Sequence, residues 1–175
     1  MLVSSLVLVF AIACGDGESN SAEPTPAEGT PPTDAAAIRE INLQQQSDVQ
    51  AALTRVGGGK VADGEIAYAD VTGDDREEAI VPITSGGTMG NVSYLVLTMD
   101  ADETSLLLTR NLDPSSPSGI NMKVEDGKLV EYIGEYGPED PFCCPSVLRK
   151  TTFSWDGTKL KVEGEQRVPR GQQKQ

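Results

Sequence analysis

Between Glu77 and Gln166 the chain is a succession of strand-length apolar runs whose connections are too short to cross a sheet. The runs are EEAIVPI (77–83), NVSYLVLTM (91–99), SLLLTRN (105–111), INMKVE (120–125), KLVEYIGEY (128–136), LRKTTFSW (148–155) and KLKVEGEQ (159–166). A parallel pair needs a crossover of roughly a dozen residues or more, and none of these gaps reaches that length. Two gaps carry the Asp-Gly signal of a hairpin, Glu125-Asp126-Gly127-Lys128 and Trp155-Asp156-Gly157-Thr158. The strands are therefore predicted to be mostly antiparallel. Pro82 is expected to limit the first of them at its end.

Ahead of these runs the pattern changes. IREINL (38–43) alternates loosely and reads as a short first strand, and EIAYADV (65–71) as a second. Between them, Val49, Ala52, Leu53 and Val56 share one face at helical spacing. Ser47 followed by Gln50 has the form of a capping box, and Gly57 to Gly59 stop the helix. The expected fold class is α+β: one short helix packed on a mostly antiparallel sheet of about seven to eight strands. The domain is assigned to 38–167 and a polar tail to 168–175.

The front of the chain obeys different chemistry. From Leu2 to Ala13, ten of twelve residues are apolar and none is charged. A bilayer span needs roughly 20 apolar residues, so this run fits the core of a secretory signal, residues 1–13. The basic residues usual ahead of such a core are missing. Residues 15–37 hold five acids, four prolines, no basic residue and no large apolar one. They cannot bury enough surface to fold, and with Cys14 they read as an acidic, proline-rich tether spanning about 25 Å.

Ala11-Ile12-Ala13-Cys14-Gly15 resembles the lipobox of bacterial lipoproteins, with Ala11 where leucine is usual. The resemblance implies a diacylglyceryl group on the Cys14 thiol and cleavage just before it. The membrane partner is then an anchor rather than a span, held by about 0.8 kcal/mol per buried methylene. The localisation implied is the outer face of the cytoplasmic membrane or the cell envelope.

Net charge is −13, and there is no histidine. Residues 149–175 carry seven basic and three acidic groups, which leaves about −17 on the rest. A chain so acidic repels nucleic acid. The missing histidine removes Ser-His-Asp and Cys-His nucleophiles and most zinc sites, but not chemistry that uses carboxylates alone.

Candidate sites remain. Asp70, Thr72, Asp74 and Glu78 place side-chain oxygens at positions 1, 3, 5 and 9 of one loop, the spacing by which calcium loops surround a hard cation. The segment resembles the calcium loops of FG-GAP and similar secreted repeats, with Thr72 in place of a carboxylate or amide and Asp75 where glycine makes the bend. The other reading is a polar turn held by Asp70 and Thr72 on backbone amides. Calcium is the only cofactor suggested.

Ser85 to Asn91 is glycine-rich, yet it lacks the Lys-Ser/Thr of a phosphate loop and leads into a strand, so a hairpin loop is expected. Glu131 with Glu135, Glu139 or Asp140 are the carboxylates on which a glycan-cleaving enzyme would draw. Among Tyr132, Tyr136, Phe142, Phe153 and Trp155, most are expected in the core, with two or three available as a ligand-binding rim. No catalytic residue is assigned. The chain is read as a non-catalytic binding or envelope-associated domain.

Cys143 and Cys144 are adjacent in DPFCCPS. Lipidation of Cys14 would leave them as a pair, and thiols outside the cytoplasm tend to oxidise. Neighbouring Cα atoms lie about 3.8 Å apart, short of the usual disulfide range, so a bond between them would be a strained vicinal disulfide. Buried free thiols and bonds to another chain are the alternatives.

YADVTGDDREEAIVPI, SGGTMGN, and CCPS followed by LRKTTFSWDGTKL are together similar to the LppP/LprE-type lipoproteins over about Glu65 to Leu160. The resemblance implies a surface-anchored extracytoplasmic domain and supplies no catalytic residues.

Overall fold

Among the described residues there are nine strands and one α-helix, and every strand pairing is antiparallel. The structure is a computed structural model and describes residues 34–172. The signal (1–13), Cys14 and the tether up to residue 33 lie outside the described residues, as do 173–175. Described elements begin at Asp34 and end at Gln172, on either side of the 38–167 expected for the domain.

The strands are β1 (Lys60–Val61), β2 (Ala67–Ala69), β3 (Glu78–Thr84), β4 (Asn91–Asp100), β5 (Glu103–Asn111), β6 (Ile120–Glu125), β7 (Lys128–Glu135), β8 (Val147–Trp155) and β9 (Leu160–Pro169). The sheet runs β1-β3-β4-β6-β7-β8-β9, with β2 added to β3 and β5 added to β4. The β4–β6 junction is one residue pair, Asn91 with Ile120. The sheet therefore has two halves, β1–β5 and β6–β9, joined at a point.

The halves pack face to face. Ile80, Tyr94, Val96 and Leu107 of the first meet Ile120, Leu129, Ile133, Phe153 and Leu160 of the second. Strand alternation sends Ala79, Val81, Ile83, Leu95 and Leu97 to the opposite face of the first half. There they are covered by Ile38, Leu43, Val49 and Ala52 from the N-terminal segment and α1 (Ser47–Arg55). This double cover explains why β3 reads as continuously apolar rather than alternating. Each fully buried Leu, Ile or Phe contributes about 1.5–3 kcal/mol.

Three expectations are corrected. IREINL is not a strand: Asp34–Arg39 and Leu43–Gln45 are 3-10 helices. Ile38 and Leu43 are five residues apart, a turn-like spacing that brings both onto the same cluster. The segment is fastened by the Glu77 N–H on Ala35 O at 2.8 Å and by Arg39 gripping the Glu77 carboxylate at 2.5 and 2.9 Å. There is also no capping box. Ser47 is the first helical residue, and Gln46 holds the cap position without a side-chain cap bond. Gln50 donates instead to Gln44 O at 2.6 Å.

Pro82, thirdly, does not limit β3, which continues to Thr84. Its carbonyl accepts from the Ala62 N–H, so its ring nitrogen faces the same edge. On that edge β1 covers Ile83 and Thr84 while β2 covers Glu78 to Ile80, so the missing N–H falls in the gap between the two short strands. EIAYADV shortens to Ala67–Ala69 because Asp63–Glu65 form a 3-10 turn, with Asp63 held by the Gln44 amide.

Asp126 and Gly127 have φ of 51° and 73°, as a two-residue hairpin between β6 and β7 requires. The Asp156-Gly157 turn is longer, since Trp155 pairs with Leu160. Asp156 accepts from the Thr158 and Lys159 amides and pairs with Lys161. Among the described residues no helix is long and apolar enough to cross a membrane.

Candidate ligand-binding cleft

Three segments far apart in sequence meet at the point where the sheet halves join. They are the glycine-rich β3–β4 loop, the β5–β6 connection around Ser118 and Gly119, and the β7–β8 turn that carries DPFCCPS. Between them lies a cleft of about 730 Å³, mostly polar in lining. That volume is ordinary for a small-molecule site.

Two glycines permit the convergence. A Cβ on Gly119 would collide with Met89 O and stand 3.0 Å from Asn91 O, both backbone atoms. A Cβ on Gly134 would stand 2.6 Å from Pro145 Cγ and 2.9 Å from Ser118 Oγ. With glycine at both places, the Ser118 hydroxyl accepts from the Gly134 N–H at 2.9 Å and donates to its carbonyl at 3.3 Å. Asn91 donates to the Glu65 carboxylate at 2.7 Å, bringing one acid to the cleft wall.

The disulfide turn is the best-fastened wall. Cys143 and Cys144 are bonded to each other, with Cα atoms 3.7 Å apart. The peptide between them is trans, like every other peptide bond described. One Asp140 oxygen accepts from the Gly137 N–H at 2.8 Å, the Ser146 N–H at 2.9 Å and the Ser146 hydroxyl at 3.0 Å. The Ser146 and Gly137 amides hold the Asp140 carboxyl below its ordinary range, so it stays charged as the hub of the turn. The Tyr136 hydroxyl donates to Phe142 O at 3.0 Å, and Arg170 reaches Cys143 O at 3.4 Å. Pro145 is buried while Phe142, three residues away, is 98% exposed. Met89, across on the glycine-rich loop, is 42% exposed. Two apolar side chains thus stand in water on a fixed frame.

The other candidate residues are committed to the chain's own groups. Asp70 accepts from the amides of Thr72, Gly73 and Asp75 at 3.1, 2.6 and 2.9 Å. Asp75 has φ of 64°, the left-handed bend that glycine makes in a calcium loop. Asp74 receives the Arg76 guanidinium at 3.0 and 2.7 Å. Glu78 is fully buried, taking the Val71 N–H at 2.9 Å and the Thr98 hydroxyl at 3.0 Å, with the Thr72 hydroxyl at 3.5 Å. Burial pushes the Glu78 carboxyl above its ordinary range, against the pull of the Val71 N–H. The loop thus turns its oxygens onto its own amides, a polar turn in the geometry of a calcium loop. The described residues hold no group of three His, Cys, Asp or Glu side chains placed to share a metal ion.

Glu131 and Glu135 do not form a catalytic pair. Glu131 is fully buried between the sheet halves and accepts two bonds from Arg110, at 3.0 and 2.8 Å. Glu135 pairs with Arg167 at 2.6 Å. Glu139 is exposed, and Asp140 is occupied as above. Of the five aromatics, Tyr132 and Phe153 are buried and Trp155 packs partly against the core, whereas Tyr136 and Phe142 line the cleft.

Glu65, Ser118, Gly119, Asn121, Gly134 and Arg170 also line the cleft and carried no signal in the sequence. The glycine-rich run, the cysteine pair and the aromatics Tyr136 and Phe142 are legible in the sequence, and nothing in it says that they meet. No family model, curated protein or solved structure matches the chain.

Proposed function

We propose that this protein is a lipid-anchored extracytoplasmic lipoprotein whose domain binds a ligand in the cleft without transforming it. The observation that carries this reading is the disulfide turn. Disulfides persist mainly in oxidising compartments, and this one stands in the wall of the cleft. Its frame holds Phe142 in full contact with water, an arrangement that contributes nothing to the core. Exposed aromatic side chains on fixed loops are the usual anchors of recognition.

The signal-like run at 1–13, the Cys14 lipobox, the acidic tether and the likeness to LppP/LprE-type lipoproteins supply the location. The domain would work on the outer face of the cytoplasmic membrane or elsewhere in the envelope. The arginine partners of Glu131 and Glu135 argue for binding rather than hydrolysis, because both carboxylates are engaged by the chain's own guanidinium groups.

The test is intact-mass analysis of the protein recovered from membranes of its native host, before and after reduction, beside a Cys14→Ala variant. A chain starting at Cys14 with added acyl mass is expected, and the variant should leave the membrane fraction. Reduction should add about two hydrogens. A soluble wild-type protein without acyl mass would overturn the anchor, and no change on reduction would overturn the oxidised pair.

A further inference from the structure

We propose that the cleft takes a neutral oligosaccharide, stacked on Phe142. The inference rests on the reading of this cleft as a binding site and names what it binds. The charges at the cleft are one of each sign, Glu65 on one wall and Arg170 beside the disulfide turn. A site with balanced charge on a chain of net charge −13 gives no attraction to an anionic polymer. The lining is more polar than apolar, which suits a hydroxylated ligand better than an acyl chain.

A saccharide fits what remains. One face of a pyranose ring presents polarised C–H groups, and the face of an aromatic ring is the negative side of its quadrupole. Phe142 is 98% exposed, so its ring is covered by nothing among the described residues, while Tyr136 holds its carbonyl and Arg170 reaches the carbonyl of the next residue, Cys143. The rim of a sugar is hydroxyl. Thr88 and Asn121, both exposed, line the cleft with side chains that make no hydrogen bond among the described residues. They supply a hydroxyl and a two-way amide to an uncharged ligand. The volume of about 730 Å³ admits more than one ring.

The experiment is a titration of the full-length protein in lipid nanodiscs. The methyl signal of Met89 is followed by NMR and heat by calorimetry. The probes are an N-acetylglucosamine tetramer, a maltotetraose, and an uncharged tetrapeptide. Expected is saturable binding of at least one oligosaccharide, with the Met89 signal shifting. Phe142→Ala should weaken it at least tenfold and Asn121→Ala several-fold. The thermal midpoint of Phe142→Ala should be unmoved, since the ring supports nothing.

If the tetrapeptide shifts Met89 and the sugars do not, the saccharide assignment is overturned and the cleft remains a binding site. A methyl signal already shifted by nanodisc lipid and indifferent to sugar has the same meaning. If no probe and no lipid moves Met89, both the saccharide and the binding reading fall. Sugar binding that survives Phe142→Ala unchanged overturns the stacking site.

Discussion

Glu78 on β3 and Glu131 on β7 are both fully buried glutamates, one in each half of the sheet, and their surroundings answer the charge in opposite ways. Glu78 closes the Asp70 turn and meets only neutral donors, a backbone N–H and threonine hydroxyls. Its carboxyl is raised by burial. Glu131 lies between the halves and meets a guanidinium in fork geometry, with Arg110 also 5.6 Å from the centre of the Phe153 ring. The hydrogen bonds that Arg110 donates to Glu131 raise its guanidinium further above its ordinary range, so the cation persists at any working pH. The Tyr94 hydroxyl is buried beside the pair without a well-formed hydrogen bond, and burial followed by the Glu131 charge raises it. A carboxylate held by neutral donors keeps a reachable titration. The one held by arginine is pinned by a fork of two hydrogen bonds.

Removing the cation tests this most severely. Arg110→Met strips the buried Glu131 of its guanidinium partner between the sheet halves, and should cost about 3–5 kcal/mol in urea unfolding. The double variant Arg110→Met, Glu131→Leu should recover most of that loss. A single-variant loss below about 1 kcal/mol would mean that water already reaches Glu131.

Glu78→Leu is expected to cost less, about 1–3 kcal/mol, because the Val71 N–H and Thr98 hydroxyl lose their acceptor but no opposite charge is stranded. An equal loss at both glutamates would erase the distinction between them.

The pH dependence sharpens it. The Glu78 carboxyl titrates higher in the folded chain than in the unfolded one, so between the two values the native state holds the extra proton. Stability from this group is complete below the unfolded value and declines as pH rises through the folded one. Denaturant midpoints measured across the weakly acidic range should show that decline, and Glu78→Gln should flatten it. A Glu78→Gln profile parallel to wild type would assign the slope elsewhere.

The smallest effect belongs to the exposed Lys128–Glu163 pair, at 2.7 Å. Lys128→Gln should move stability by less than ~1 kcal/mol, and by less still in high salt. A larger loss would show that this end of β7 and β9 is coupled to the core.

The strands from β3 to β9 were legible because each carries its own run of apolar and β-branched residues between turn signals. The N-terminal segment was misread because Ile38, Ile41 and Leu43 satisfy a loose alternation as well as a turn. What decides between them is the cover they give to Ala79, Val81 and Leu97, far along the chain. The burial of Glu131 is not legible, since a strand pattern does not say whether a second sheet half lies over it.

By itself, then, the sequence determined what depends on neighbours along the chain. Short gaps impose antiparallel pairing, glycines end the helix, and Asp126-Gly127 makes a hairpin. The tertiary structure alone decided what depends on closure. Arg110 found Glu131 because a one-pair junction folds β6–β9 back over β1–β5. The same junction, with no side chain on Gly119 or Gly134 to hold the loops apart, set Phe142 and Met89 on one cleft. Such pairings are fixed by packing between distant segments, and no local run of residues carries that information.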